Sequence, residues 1–101
     1  MLPESHHWED LVRKGEELVF RKGQVLFYEG HQPYGVYVVK SGEFSFAKEG
    51  VPCRGSHVDK VGSLKVLGLH DFFNGKPFCC TCTATADCRL IFLSRSQLTS
   101  H

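Results

Sequence analysis

Apolar residues in this chain follow two different periods, and the change between them separates a short helix from a long series of strands. In residues 6–14, Trp8, Leu11 and Val12 recur at the three- and four-residue offsets of one helix face, and a glycine follows as a stop. Beyond that glycine the period becomes two, which is the alternation of a β-strand with one buried face. The pattern predicts a helix over 6–14 and a β-rich body over 16–93.

Short strands separated by glycine-containing turns are predicted throughout this body. Residues 35–40 and 43–48 are the clearest pair, and we predict a hairpin that turns between them at Ser41-Gly42. A tip containing two Gly and one Pro is predicted over 49–58 to be a flexible connection. The other predicted strands cover residues 16–21, 24–29, 63–69, 78–85 and 89–93. Many short strands of this kind imply an all-β antiparallel sandwich or barrel.

The last residues, 94–101, are predicted to open a second helix, with Ser94 as its cap and Gln97 three residues later. With 101 residues the chain is expected to form a single domain over 1–101.

Composition and charge exclude several function classes. The net charge is +1, and no basic stripe indicates nucleic-acid binding. No apolar run approaches the roughly 18 residues needed to cross a bilayer, and the polar N-terminus has no signal-peptide segment. Because the five cysteines are odd in number and crowded, reduced thiols are expected rather than a disulfide framework. We therefore expect a cytoplasmic protein without membrane contact.

Several segments together resemble a known family over roughly residues 15 to 98. The segment KGQVLFYEGHQPYGVYVVKSGEFSF has a Lys-Gly turn, a strand ending in Glu-Gly, and an apolar strand that closes at Ser-Gly. His70-Asp71-Phe72-Phe73 follows at the position of a Gly-Asp-aromatic step, and ATADCRLIFL is similar to the family's last strands. In this order the segments resemble the cyclic-nucleotide-binding-like β-roll of the catabolite-activator and fumarate–nitrate regulators. The resemblance implies an all-β antiparallel jelly roll (double-stranded β-helix) of eight strands, flanked by short N- and C-terminal helices.

The segment that holds the nucleotide in this family departs from the family pattern. Family members that bind cyclic AMP or cyclic GMP carry Gly-Glu, a short helix, and an Arg followed by a small residue. The helix end and the Arg hold the cyclic phosphate. With Gly75 placed on the family glycine, Lys76 replaces the Glu, the helix is deleted, and Phe78 and Cys79 stand at the Arg position. The departures predict a regulatory, ligand-sensing module that does not bind cyclic AMP or cyclic GMP in the usual way.

We call the segment that holds the nucleotide in this family the cassette. A shortened cassette would leave an opening in the roll for a different small ligand. We predict an apolar or aromatic ligand with one anionic group near Lys76. The residues predicted to bind it are Phe72, Phe73, Asn74, Gly75, Lys76, Phe78 and Cys79. A cyclic-nucleotide site with an atypical cassette is an alternative.

The crowded cysteines have two interpretations. As strand residues, Cys80, Cys82 and Ala84 would share one face. The resemblance implies that this face turns inward and carries small apolar residues, as free cysteines can be, which leaves Cys79 as the most exposed thiol. As a site, the cysteines would make a redox or metal sensor, and vicinal cysteines of one strand converge poorly on an ion unless distant ones join them. A haem ligand at His70 is a further alternative, because relatives of this family include haem-based gas sensors. The sequence itself predicts no metal site and no cofactor.

No motif in the sequence indicates catalysis. A nucleophile elbow, a P-loop, a dinucleotide fingerprint and paired carboxylates at strand ends are all missing, so we predict a non-enzyme without catalytic residues. The resembling transcription factors carry a helix-turn-helix after the roll, and the sequence stops at His101, so no DNA binding by this chain alone is expected. We expect a small-molecule ligand and a protein partner, and sheet edges and end helices would allow a homodimer.

Overall fold

The β-rich body consists of short strands between helical segments in the computed structural model, which describes residues 5–53 and 57–99. The helices in these residues are α1 (Ser5–Lys14), α2 (Leu69–Phe73) and α3 (Arg95–Thr99). The strands are β1 (Glu16–Phe20), β2 (Val25–Phe27), β3 (Gly35–Ser41), β4 (Phe44–Lys48), β5 (Val51–Pro52), β6 (Val58–Val61), β7 (Leu64–Leu67), β8 (Thr81–Ala84) and β9 (Cys88–Ser94). No helix in this part of the chain is long and apolar enough to span a bilayer.

The strands form two antiparallel sheets that pack against each other. One has five strands in the order β1-β9-β3-β7-β6, and the other has four in the order β2-β8-β4-β5. Non-consecutive neighbours such as β9 and β3 require long crossovers, as expected for a jelly roll. The predicted all-β jelly roll with short flanking helices is confirmed.

Successive strand residues point to opposite faces of the five-stranded sheet. Both faces are buried, because other elements pack on each of them. On one face, Val36 and Leu93 belong to a cluster with Trp8 of α1 and side chains of α2 and α3. On the other face, Leu67 and Leu90 pack with side chains of the four-stranded sheet. The fold therefore has one core inside the roll and a second core beneath the helices.

The predicted hairpin of residues 35–40 and 43–48 is wrong. Both strands exist as β3 and β4, but β3 pairs with β7 and β9, whereas β4 pairs with β5 and β8. The chain crosses between the sheets at Gly42, where φ is 121° and a Cβ would lie 2.5 Å from the Cys88 sulfur. Both the backbone angle and the close approach require glycine, so this residue forms a corner of the roll.

Two other predicted segments differ in detail. The tip predicted over 49–58 contains β5, which pairs with β4, and its residues 54–56 lie outside the described residues. The strand predicted over 63–69 ends at Leu67, because the chain then turns into α2. At the other end, Ser94 and Gln97 form the reciprocal hydrogen bonds of a capping box before α3.

Candidate functional site

The segment between β7 and β8 contains the short helix α2, which ends at Phe73 and therefore precedes Gly75. Between Gly75 and Phe78, where the sequence predicts that the family's helix is deleted, the chain forms a turn and no helix. Gly68 follows β7 with a left-handed φ of 81°, and α2 begins at the next residue. With Gly75 placed on the family glycine, Lys76 stands at the glutamate position and is exposed, and Phe78 at the arginine position is buried.

Phe78 stands where the resemblance places the family's arginine, and its ring is buried. It stacks on Phe27 of β2 with ring centroids 4.0 Å apart and an interplanar angle of 15°. A Cβ on Gly68 would lie 2.9 Å from the Phe78 ring, so glycine permits this close packing. The ring thus packs between the start of α2 and the four-stranded sheet.

The seven residues predicted to bind a ligand do not line one opening. Phe72 and Phe73 pack edge to face in the core beneath the helices. The next three predicted residues, Asn74, Gly75 and Lys76, are exposed. Phe78 lines a separate hollow of about 220 Å³ together with other aromatic side chains. Of the seven predicted residues, only Cys79 lines the cavity described next. That any of these residues contacts a ligand stays a prediction.

A cavity of about 210 Å³ opens where the two sheets meet α2. Both sheets and the cassette contribute to its wall. The lining residues are Phe27, Phe46, His57, Asp59, Gly68, His70, Asp71, Cys79 and Cys80. Two aromatic rings, two imidazoles, two carboxylates and two thiols therefore surround one space.

The charged groups of this cavity are acidic. The Asp59 carboxylate accepts a hydrogen bond from the His70 amide at 3.3 Å, and the Asp71 carboxylate accepts one from the Cys79 amide at 3.1 Å. Among the lining residues that the structure describes there is no Lys or Arg. The Cys79 amide, which follows the arginine position at Phe78, therefore already donates its hydrogen bond to the Asp71 carboxylate of the same chain.

Three thiols and one imidazole meet at the edge of the cavity. The Cys80 sulfur lies 3.3 Å from both the Cys53 sulfur and the Cys79 sulfur. The His57 ring reaches this group with Nδ1 3.6 Å from the Cys79 sulfur and Nε2 3.6 Å from the Cys80 sulfur. We call these four residues the thiol–imidazole cluster.

Contacts from neighbouring elements position the cluster. The Cys53 amide donates to the Phe46 carbonyl at 2.8 Å and extends the pairing of β4 beyond β5. The Phe46 ring packs on the His57 ring at 5.1 Å, and Asp71 fixes the backbone of Cys79. This arrangement was not predicted, because Cys53 and His57 are more than 20 residues away from the other two in the sequence.

The thiols differ in exposure and in acidity. Cys79 is exposed, whereas Cys80, Cys82 and Ala84 are buried, which confirms the predicted faces of this segment. Burial raises the pKa of the Cys79 thiol, and the nearby Asp71 carboxylate adds to this. Burial also raises the pKa of Cys82 to about 12. His57 contacts the Cys79 thiol from another segment of the chain.

Comparison with known proteins gives a family and a set of similar folds. The chain matches the cyclic nucleotide-binding domain over residues 17–100. A cyclic nucleotide-binding-like protein from Brucella abortus is 26% identical, with 87% of this chain and 76% of that chain covered and a TM-score of 0.69. The N-terminal domain of a transcriptional regulator from Streptomyces coelicolor is 20% identical, with 94% and 68% covered and a TM-score of 0.70.

The Thermus thermophilus Catabolite Activator Protein is 17% identical to this chain, with 94% of this chain and 45% of that chain covered and a TM-score of 0.70. Comparison with curated protein sequences found no match.

Proposed function

Because the chain belongs to the cyclic nucleotide-binding domain family, we propose that it is a regulatory module whose cavity binds a small ligand other than cyclic AMP or cyclic GMP. The observation that carries this proposal is the charge of the cavity. Asp59 and Asp71 contribute carboxylates, and the described lining residues contain no Lys or Arg to balance a phosphate. Burying an unpaired phosphate beside two carboxylates is strongly unfavourable.

The residues at the family's binding positions support the same conclusion. Lys76, at the glutamate position, is exposed and does not line the cavity, and Phe78, at the arginine position, is buried in an apolar cluster. Neither position therefore supplies the carboxylate or the guanidinium that the family uses. An arginine would supply a bidentate guanidinium, for which a phenyl ring is no substitute. The Cys79 amide, which follows the arginine position, donates its hydrogen bond to Asp71.

The size of the cavity favours a ligand smaller than a nucleotide. Pockets that enclose drug-sized ligands measure about 300–1,000 Å³, whereas this cavity measures about 210 Å³. Phe27 and Phe46 offer aromatic faces, and the two carboxylates offer hydrogen-bond acceptors. We therefore propose a neutral or cationic ligand with a small planar apolar body.

This ligand differs from the anionic one expected from the sequence. That expectation relied on Lys76, which is exposed and does not line the cavity. The Lys76 amide donates to the Asp71 carbonyl at 2.9 Å in the turn after α2, which leads the chain towards Phe78.

Calorimetric titration of the reduced, metal-free protein tests the proposal. With cyclic AMP and cyclic GMP we expect a Kd weaker than about 1 mM, the range of contacts without specific pairing. A thermal-shift screen should compare small aromatic amines with aromatic acids of the same size. The amines are expected to raise the melting temperature more than the acids. Micromolar binding of either cyclic nucleotide would overturn the proposal.

Matched variants separate the cavity from the rest of the surface. Asp59→Asn and Asp71→Asn keep the shape and the accepted hydrogen bonds but remove the charge. Together they are expected to weaken binding of a cationic ligand at least about tenfold, which corresponds to one lost favourable charge interaction. Asp87→Asn, an exposed residue outside the cavity, serves as control and should change nothing. Equal affinities in the unaltered protein, the variant with both Asp59→Asn and Asp71→Asn, and the Asp87→Asn control would contradict the proposed site.

A further inference from the structure

We propose that Cys53, His57, Cys79 and Cys80 bind one zinc-like divalent metal ion at the edge of the cavity. This site goes beyond the proposed ligand-binding function and does not depend on it. The four residues come from three separate segments, which follow β5, precede β6 and precede β8. The fold alone brings these segments together.

The distances between donor atoms match those of a tetrahedral site. Zn–S bonds of about 2.3 Å place the sulfur atoms of such a site about 3.8 Å apart. In this structure the Cys80 sulfur lies 3.3 Å from the Cys53 sulfur and from the Cys79 sulfur. His57 Nδ1 lies 3.6 Å from the Cys79 sulfur and 3.8 Å from the Cys80 sulfur. The ligand atoms of Cys53, His57 and Cys80 all lie within 4.8 Å of one another. Cys79 joins this group through its contacts with Cys80 and His57. Each pair of sulfur atoms now 3.3 Å apart would separate by about 0.5 Å on binding the ion.

The chemistry of the donors selects the class of metal. Three thiolates and one imidazole form the Cys₃His set of closed zinc sites, which leave no coordination position open for catalysis. Soft sulfur ligands disfavour Mg²⁺ and Ca²⁺, which prefer oxygen. The two nearby carboxylates, Asp59 and Asp71, are engaged by backbone amides, and Asp71 thereby holds Cys79 in place. Such outer contacts are typical of metal sites.

Core packing does not account for the cluster. Cys82 and Cys88 lie in the apolar cluster between the sheets, where a free thiol acts as a small hydrophobic side chain. Cys80 is only 2% exposed, yet it belongs to neither apolar cluster and contacts two thiols and an imidazole. Buried polar donors that face one another in this way suit an ion better than they suit packing.

Titration with Co²⁺ and Zn²⁺ tests this site. The full chain is reduced, freed of metal with a chelator and kept under anaerobic conditions. We expect one Co²⁺ ion per chain, with thiolate-to-cobalt charge-transfer absorption and the visible bands of tetrahedral cobalt, and we expect Zn²⁺ to displace it. Binding without thiolate charge transfer, or with octahedral bands, would overturn the proposal, as would no saturable binding.

Variants show whether these residues are the ligands. Cys53→Ser, His57→Ala and Cys80→Ala are each expected to lower metal affinity at least about 100-fold, since loss of outer-shell partners alone costs 10–100-fold. The matched controls are Cys82→Ala, a buried cysteine outside the cluster, and His70→Gln, a histidine in the same cavity. Both controls should bind as the unaltered protein does. Undiminished binding in the cluster variants would contradict the proposal.

A footprint on the unaltered protein keeps the test independent of variant folding. Alkylation followed by peptide mass spectrometry is compared with and without one equivalent of Zn²⁺. We expect Zn²⁺ to protect Cys79, the exposed thiol, at least about tenfold while the protein remains folded. Equal alkylation of Cys79 in the two samples would exclude it as a ligand.

Discussion

Phe78 shows how one side chain changes the chemistry of a shared fold. At the position where the resembling family carries arginine, its ring stacks on Phe27 and lies against Gly68. An arginine there would have to leave the apolar cluster to reach a ligand, whereas phenylalanine gains by burial of about 1.5–3 kcal/mol. Phe78 therefore contributes to the core of the roll.

The first prediction concerns Gly68. Alanine there must adopt a left-handed backbone and must also displace the Phe78 ring. We expect Gly68→Ala to lower the free energy of unfolding by about 2–4 kcal/mol, from the backbone cost and the overpacking together. Urea denaturation measures this change.

Gly75→Ala is the matched control for Gly68→Ala. Gly75 has a φ of +64°, but a Cβ there would meet no atom within 4 Å. Only the backbone cost of about 1–2 kcal/mol should therefore apply. If the two variants lose the same stability, the close packing of Phe78 on Gly68 is not supported.

The second prediction concerns the pH dependence of stability. Burial raises the pKa of Cys82 to about 12, with the Cys88 thiol as a further contribution. Between the ordinary thiol pKa and this value, the folded state keeps the proton while the unfolded state loses it. The stabilisation is complete below the ordinary pKa and is lost as the pH rises, by up to about 1.4 kcal/mol per pH unit.

The matched variant for this effect is Cys82→Ala, which has no thiol to titrate. Near pH 8 it is expected to be less stable than the unaltered protein by about 1–2 kcal/mol, because its methyl group leaves space in the core. This difference should shrink as the pH rises above about 9. Urea denaturation at a series of pH values, in reductant, measures it. A constant difference would contradict the raised pKa.

For single residues, the sequence predicted the features that depend on residues nearby in the chain. The capping pair Ser94 and Gln97 is separated by three residues, and the exposure of Cys79 follows from strand alternation. The contact of Cys79 with His57 was not predictable, because a loop and the β6–β7 hairpin separate them in sequence. Nothing in the pattern of either segment specifies that they meet.

At the scale of elements, strands were easier to predict than their partners. Both β3 and β4 have the alternation of half-buried strands, but pairing depends on whether the glycine between them makes a turn or a corner. Likewise, α2 follows β7 within one apolar run, VLGLHDFF, and a short apolar run does not distinguish helix from strand by its period. Gly68 marks the boundary, and its left-handed conformation is visible only in the folded chain.

The third prediction concerns α1, which is part of the fold and not an appendage. Trp8 is completely buried in the cluster beneath the helices. Trp8→Ala is expected to lower the free energy of unfolding by about 3–5 kcal/mol through the cavity it leaves. The exposed Glu9 on the same helix is the control, and Glu9→Ala should change stability by no more than about 0.5 kcal/mol. Similar urea midpoints for the two variants would show that α1 does not dock as described.

At the scale of the whole molecule, both proposed sites lie where the two sheets and the cassette meet. Strands of a jelly roll cross between sheets, so distant parts of the sequence end side by side at its edges. Asp59 and Asp71 come from β6 and α2, which precede and follow β7 in the chain, and both line the cavity. Cys53 and Cys80 adjoin β5 and β8, the two strands that flank β4, and their sulfurs meet. The sequence predicted the roll, but these meetings depend on its crossovers.

The last prediction is that metal binding stabilises the whole roll. His57 adjoins β6 of the five-stranded sheet, whereas Cys53 and Cys80 adjoin β5 and β8 of the other, so a shared ion would tie the sheets together. Free Zn²⁺ at 100 times its Kd should raise the free energy of unfolding by about 2.7 kcal/mol. For a domain of this size that corresponds to a rise in melting temperature of roughly 10–20 °C.

A chelator should reverse this rise, and Mg²⁺ should not produce it, because a thiol-rich site gives a hard cation few ligands. Cys53→Ser removes one ligand near the surface and should abolish the Zn²⁺-dependent rise while the metal-free melting temperature changes little. Differential scanning calorimetry in reductant measures both values. A rise that persists in Cys53→Ser would mean that the ion stabilises the protein from another site, since a tie between the sheets requires this cysteine.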